Sequence, residues 1–264
     1  MKTLAILALS SITLFSCNIK TDGGFPINIG TKEGKGPITQ KEYKMNFDGI
    51  KVVQSIDAEV IKANEEKVVI SAPSDLMDDI LVETSGGTLY IHFKPNRNIS
   101  TRHISAKIYA KDFNFLKASS SASITLKDKF TQDKTDIEVS SSGTIKGELE
   151  ANDISIDISS SGTFSGKIWA VNLNSGVSSS GDVIVSGKAK NATLRASSSG
   201  TFKAQNLVVE NANIQASSSG DVSVSVSNSL NASASSSGDI VITRKGAVNV
   251  LNKSESSGGS VSIQ

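Results

Sequence analysis

The tetrad Ser-Ser-Ser-Gly recurs six times in the second half of the chain, with its glycine at Gly143, Gly162, Gly181, Gly200, Gly220 and Gly238. The intervals are 19, 19, 19, 20 and 18 residues. Degenerate copies extend the series: Ser119-Ser-Ser-Ala122 lies 21 residues before Gly143, and Ser256-Ser257-Gly258 lies 20 after Gly238. A unit of about twenty residues is too short to bury an apolar row of its own, so a period of that size implies coils stacked into a solenoid.

Alternation around each glycine fixes which residues face inward. Counted from the glycine, positions −8, −6 and −4 read Ile154, Ile156 and Ile158 in one unit and Ala212, Ile214 and Ala216 in another. Position +2 reads Ile145, Phe164, Val183, Phe202, Val222 and Ile240, while the odd positions are mostly Ser, Asn, Asp, Lys, Thr or Arg. A period of two with one apolar parity means strands with one face in and one out. The expected fold is all-β, a parallel β-helix (solenoid) with rungs of roughly 20 residues. The −2 serines (Ser141, Ser160, Ser179, Ser198, Ser218 and Ser236) keep the inward parity, so a serine stack just inside a corner is expected. The glycine takes the next inward slot, where positive φ or a close backbone approach excludes a Cβ.

Ahead of the repeats, Ile50-Lys-Val-Val, Ala58-Glu-Val-Ile, Val68-Val-Ile-Ser and Leu89-Tyr-Ile-His-Phe read as strands. The segment Ser74-Asp-Leu-Met-Asp-Asp-Ile-Leu-Val follows Pro73, with Ser74 as an N-cap, acids in the first turn and Leu76 and Ile80 at helical spacing, which predicts one short helix. One domain, 41–264, is therefore expected, with irregular rungs over 41–117 and Ser-Ser-Ser-Gly rungs over 118–264. Residues 18–40 are rich in Gly, Lys and Thr and lack an apolar period, the composition of a flexible tether.

Residues 1–16 place Lys2 before an apolar stretch from Leu4 to Phe15, the layout of a secretory signal peptide and too short to span a bilayer. The stretch ends Leu14-Phe15-Ser16-Cys17, which resembles a bacterial lipobox. Lipidation of Cys17, the single cysteine, would make residues 17–40 a lipidated N-terminus with its tether. The alternative is an unmodified Cys17 in a leader cleaved elsewhere, against which no small-x-small site follows nearby. With its thiol acylated, the chain has no disulfide to rely on.

With lipobox, tether and repeat together, the chain resembles the family described as putative auto-transporter adhesin, head GIN domain, common as lipoproteins in Bacteroidetes-type bacteria. The resemblance spans about residues 41–264 and rests on Phe47-Asp-Gly-Ile-Lys-Val, Asp57-Ala-Glu-Val-Ile, Lys67-Val-Val-Ile, the segment from Pro73 to Ile80, Gly86-Gly-Thr-Leu-Tyr-Ile-His-Phe and the serine-rich rungs. It implies a β-helix in the cell envelope and brings no catalytic motif.

Twenty-seven Lys and Arg against 26 Asp and Glu give a net charge of +1 with the signs interspersed, which leaves no nucleic-acid footprint. Asp221 and Asp239, both at +1, would stack on neighbouring rungs, a spacing open to a glycosidase pair or a calcium ion, but +1 is also a favoured turn slot for Asp and Thr. Trp169 occupies an outward position, as a sugar platform or as an incidental exposed ring. His92 and His103 lack ligand-spaced partners and are expected to be solvated. No metal, cofactor or enzyme activity is therefore expected. Outward serines at −3 and −1 would form hydroxyl ladders that are inert, that bind an extended polymer, or that order water. The resulting expectation is a lipid-anchored envelope protein, outer-membrane and facing periplasm or cell surface, that acts as a structural, binding or adhesion module. Its partners would be the membrane through Cys17 and a glycan or envelope protein; the competing class is a lyase or glycosidase on the same scaffold.

Overall fold

Wherever apolar residues alternate the chain is extended, and residues 31–264, those the computed structural model describes, hold eighteen strands in one continuous sheet and no α-helix. The leader, Cys17 and tether residues up to Gly30 lie outside the described residues. The first nine strands are β1 (Ile38–Lys44), β2 (Gly49–Val53), β3 (Asp57–Lys62), β4 (Lys67–Pro73), β5 (Ile80–Ser85), β6 (Thr88–Phe93), β7 (Ser105–Ala110), β8 (Phe115–Ser119) and β9 (Ser123–Leu126). Strand β2 lies between β6 and β8, and β3 between β7 and β9, all parallel. The first coil in sequence is thus sandwiched between the second and third. Antiparallel strands finish this end: β5 on β6, β4 on β7, and β1 on β4. The outermost strand, β1, is exposed and carries Lys41, Glu42 and Lys44, charges that discourage edge-to-edge pairing.

Two expectations fail here. The helix after Pro73 is a single 3-10 turn, Met77–Asp79, preceded by Leu76 and with no side-chain cap. Leu76, Met77 and Ile80 all enter the core, and the β-branched residues that follow are taken up by the β5–β6 ladder, so too few residues remain to nucleate an α-helix. The flexible tether expected over 17–40 does not include residues from Lys32 onward, which are bound to the body. Lys32 N–H donates to Asn98 O (2.8 Å), Gly36 N–H donates to the Asp75 carboxylate (2.9 Å), and Lys32 Nζ lies 2.7 Å from the buried carboxylate of Asp79.

The repeats form β10 (Phe130–Val139), β11 (Thr144–Ile158), β12 (Thr163–Val177), β13 (Asp182–Ala196), β14 (Thr201–Ala216) and β15 (Asp221–Ala234), each parallel to the next. Between β11 and β12 the pairing runs in register from Thr144↔Thr163 to Ile158↔Val177. Equivalent side chains therefore stack in columns, and Phe130, Phe164 and Phe202 are fully buried among Ile, Leu, Val and Ala. Each long strand bends where two successive residues face outward, as at Asn152–Asp153 and Lys190–Asn191.

The Ser-Ser-Ser-Gly corner differs from expectation in its detail. In one copy Gly162 N–H donates to Ser159 O (2.9 Å), closing a four-residue turn, and the two central serines, Ser160 and Ser161, have φ of 49° and 60°. Those signs belong to a type I′ turn. Positive φ thus falls on the −2 and −1 serines and not on the glycine, and two left-handed residues in a row swing the −2 side chain outward. Ser141, Ser160, Ser179, Ser198, Ser218 and Ser236 are all exposed, so no inward serine stack forms. The turns bond to each other through backbone instead: Ser142 N–H to Ser160 O and Ser161 N–H to Ser179 O, each 3.0 Å. The glycine is buried against the previous coil, and a Cβ at Gly162 would lie 2.6 Å from Val139 O. Gln54 and Ser55, with φ of 62° and 56°, make the same turn ahead of Ile56, a copy with no serine tetrad to announce it. At the far end Gly259, not Gly258, fills the slot against the previous coil: its N–H donates to Ser256 O (2.8 Å), and Gly258 takes the −1 place with φ of 77°.

The last strands are β16 (Asp239–Arg244), β17 (Asn249–Glu255) and β18 (Ser260–Ile263). Strands β16 and β17 lie on β15, and β18 lies on β16. The register shifts at Leu251, after which Lys253 and Glu255 sit over the inward residues Ala232 and Ala234. Their ion pair (3.3 Å) and the bond from Val261 N–H to Glu255 (2.6 Å) place charge over the end of the apolar interior, which protects an otherwise open edge.

Candidate binding surface

One face of the solenoid, between the outward bend and the serine corner, carries four outward columns. Column −9 holds Asp153, Asn172, Asn191, Asn211 and Ser229, which stack by virtue of the register. Each amide donates to the residue one coil back: Asn172 to Asp153 (2.8 Å), Asn191 to Asn172 (3.0 Å) and Asn211 to Asn191 (3.0 Å). Every amide in this ladder is oriented by its neighbours and retains a second N–H; Asn172 and Asn191 also keep acceptor capacity, whereas Asn211 Oδ1 already accepts from Asn228 and Ser229. Column −7 adds Ser155, Asn174, Thr193, Asn213 and Asn231. Together they line a groove of about 760 Å³ whose apolar lining includes Ile154, Leu173, Ala192 and Ala212. It runs from Lys134 on β10 to Leu251 on β17. Six strand spacings make that roughly 30 Å.

Nearer the corner the groove continues into a second depression of about 410 Å³ bordered by Ser159, Ser178 and Ser197, the −3 serines. Column −5 here reads Lys117, Glu138, Asp157, Gly176 and Arg195. Lys117 pairs with Glu138 (2.6 Å), and Arg195 donates to Asn174 Oδ1 (3.2 Å). Asp157 has no cation partner among the described residues, and partial burial of its carboxyl, with Glu138 and Asp136 nearby, raises its pKa above the ordinary aspartate value.

The residues singled out by sequence are dispersed. Asp221 and Asp239 are register partners, both exposed, and Asp239 accepts from Ser260 Oγ (2.6 Å). Trp169 is 46% exposed and lies between Glu150 and Lys188 on neighbouring coils, beyond the bend from the amide groove. Of the histidines, His103 is exposed but His92 is not solvated as expected. Its side chain is only 13% exposed, it stacks on Tyr90 (centroids 4.0 Å apart), and its Nδ1 is 2.8 Å from Phe93 O. Both rings sit on one face of β6, a position that alternation alone leaves undecided between solvent and a neighbour. No group of three or more His, Cys, Asp or Glu is arranged to hold a metal among the described residues. The amide ladder went unrecognised in the sequence, although its signal was present as Asp or Asn at −9 in four consecutive units.

A parallel β-solenoid with a rigid, open, amide-lined face is an elongated structural or binding module. The chain belongs to the putative auto-transporter adhesin, head GIN domain family, whose profile matches residues 46–167 and again 147–246. Three solved structures share the fold. A putative adhesin from Parabacteroides merdae superposes with a TM-score of 0.80 at 19% identity, covering 89% of this chain and 99% of its own. A putative lipid binding protein from Parabacteroides distasonis gives 0.78 at 22% identity, with 89% and 100% covered. A putative adhesin from Bacteroides fragilis gives 0.63 at 17%, with 88% and 98% covered. No curated protein sequence matches the chain. Neither the family description nor the names of these neighbours refers to an enzyme, and the adhesin description is that of a protein of the cell envelope or surface.

Proposed function

We propose that this protein is exported, lipid-anchored through Cys17 to the outer membrane, and binds an extended glycan along the amide groove as a non-catalytic adhesion module. The observation that carries the reading is the −9 ladder, in which Asn172, Asn191 and Asn211 are fixed by mutual hydrogen bonds along a groove that crosses several coils. Ordered amides lose little side-chain entropy on binding, and they offer the paired donors and acceptors that sugar hydroxyls need. A 1→4-linked pyranose advances by roughly one strand spacing, about 4.8 Å, so a glycan running along the axis meets one set of amides per sugar. The apolar leader ending at Cys17 supports export and acylation.

The anchor is tested by labelling cells with a palmitate analogue: incorporation is expected in the native chain and lost in Cys17→Ala, and label retained by the variant would overturn it. The groove is tested on a glycan array, where Asn191→Ala is expected to weaken every bound glycan. Undiminished binding by that variant would refute the site. Release of reducing sugar that disappears in Asp221→Ala would overturn the non-enzymatic assignment.

A further inference from the structure

Around column −5 Lys117, Glu138, Lys134 and Asp136 are matched, and the two exceptions lie one coil to either side of a glycine. Glu138 has Lys117, and Asp136 has Lys134 at 2.8 Å. Among the described residues Asp157 has no cation and Arg195 has no carboxylate, and Gly176 stands between them in the column. The missing side chain leaves a notch: a Cβ built on Gly176 would already be 3.1 Å from Asp157 Oδ1. Asn174 holds the Arg195 guanidinium through one N–H and leaves the others available to a ligand in the notch. Two strand spacings, about 10 Å, separate the Asp157 and Arg195 backbones, but both charged groups lean over the intervening coil, Asp157 Oδ1 toward Gly176 and the guanidinium onto Asn174, so they meet adjacent sugars.

We propose that this notch selects a glycan carrying both charges, with an ammonium-bearing sugar over Asp157 and a carboxylate- or phosphate-bearing sugar against Arg195. The inference rests on the reading of this face as a glycan surface and specifies its ligand. An ammonium supplies the counterion that Asp157 lacks, and an anion completes a guanidinium fork that Asn174 has already oriented. The absence of a side chain at position 176 lets the polymer backbone approach the sheet between them. Glu138, Asp136, Lys117 and Lys134 face the same region as closed pairs, so they add no net charge to it.

The test is calorimetric titration of the purified full chain with equal-length oligosaccharides of four kinds. These are neutral N-acetylated chitin, cationic chitosan, anionic oligogalacturonate, and de-N-acetylated heparosan, in which free-amine glucosamine alternates with glucuronate. The heparosan derivative is expected to bind at least about tenfold more tightly than the neutral oligomer, as one added charge-assisted contact implies. Asp157→Asn should remove its advantage over oligogalacturonate, Arg195→Gln its advantage over chitosan, and Gly176→Gln both. Thermal melts of each variant establish that it is folded, and Asp157→Asn is expected to melt no lower than the native chain. Equal binding of all four oligosaccharides would overturn the charge selection and leave the glycan surface standing. Binding of none would overturn both. Equal or tighter binding of an alternating Lys-Glu peptide would reassign the notch to proteins.

Discussion

Substituting Gly200 by Ala probes the stacking of the coils at a single point. The added Cβ would lie 2.7 Å from both the carbonyl carbon and oxygen of Val177 and 2.9 Å from Ser178 N, all backbone atoms of the previous coil. Ordinary contact begins near 3.4 Å, so the corner must open by about 0.7 Å. Two backbone bonds cross there, Ser197 N–H to Val177 O (3.0 Å) and Thr201 N–H to Gly181 O (2.9 Å), and that opening carries both past hydrogen-bond range. Losing them at about 1 kcal/mol each, with an overpacking strain of about 1–3 kcal/mol, gives a destabilisation of about 3–5 kcal/mol. For a chain of this size that lowers the melting temperature by roughly 6–20 °C. Gly181→Ala is the control, because its nearest neighbour is the Ile158 Cγ2 methyl at 2.7 Å, a side-chain atom that can move, and about half the loss is expected. Circular-dichroism melts with hydrogen exchange at the corner amides read both effects. A Gly200→Ala melt matching the native chain, or a larger loss in Gly181→Ala, would refute the argument.

The left-handed serines should prefer glycine: Ser199→Gly, at φ of 61°, is expected to be neutral or stabilising by up to about 1 kcal/mol in urea titration, whereas Ser199→Val should cost about 1–2 kcal/mol. Truncating the core through Phe202→Ala should cost about 3–5 kcal/mol by the same assay, since the ring is 1% exposed. For Asp157 the folded pKa is raised, by burial first and then by Glu138 and Asp136, so the native state holds its proton at higher pH than the unfolded state does. Its ionised form therefore weakens the fold above the folded pKa, and that penalty fades as pH falls toward the ordinary aspartate range. Asp157→Asn should accordingly stabilise at neutral pH and make no difference near pH 3, a trend readable from melts across pH.

Much of this architecture was legible because its signals are local. Alternation placed Ile154, Ile156 and Ile158 inside, and the tetrads gave the rung period. What was missed depends on information that a short window of sequence does not carry. That β2 lies between β6 and β8 depends on which distant edges meet, and nothing near Ile50 or Leu89 encodes it. The inward parity assigned to Ser160 failed because two successive left-handed residues reset the alternation, and serine is not the residue that usually announces such a turn. The amides at −9 were counted only as polar outward residues, since their worth comes from a register that puts Asn172, Asn191 and Asn211 one above another. Lys253 and Glu255 read as ordinary surface charges until the bulge at Leu251 sets them over the core.

Stacking itself is most directly tested by electron–electron dipolar spectroscopy on Cys17→Ser protein carrying one spin label at Thr144 and a second, in turn, at Asp182, Thr201, Asp221 or Asp239, which occupy equivalent places two, three, four and five coils away. If the coils lie one above another, the separations climb in even steps of about 4.8 Å. A series that fails to climb, or that returns to a short distance at a more remote coil, would mean that the serine-rich segments do not form a parallel stack.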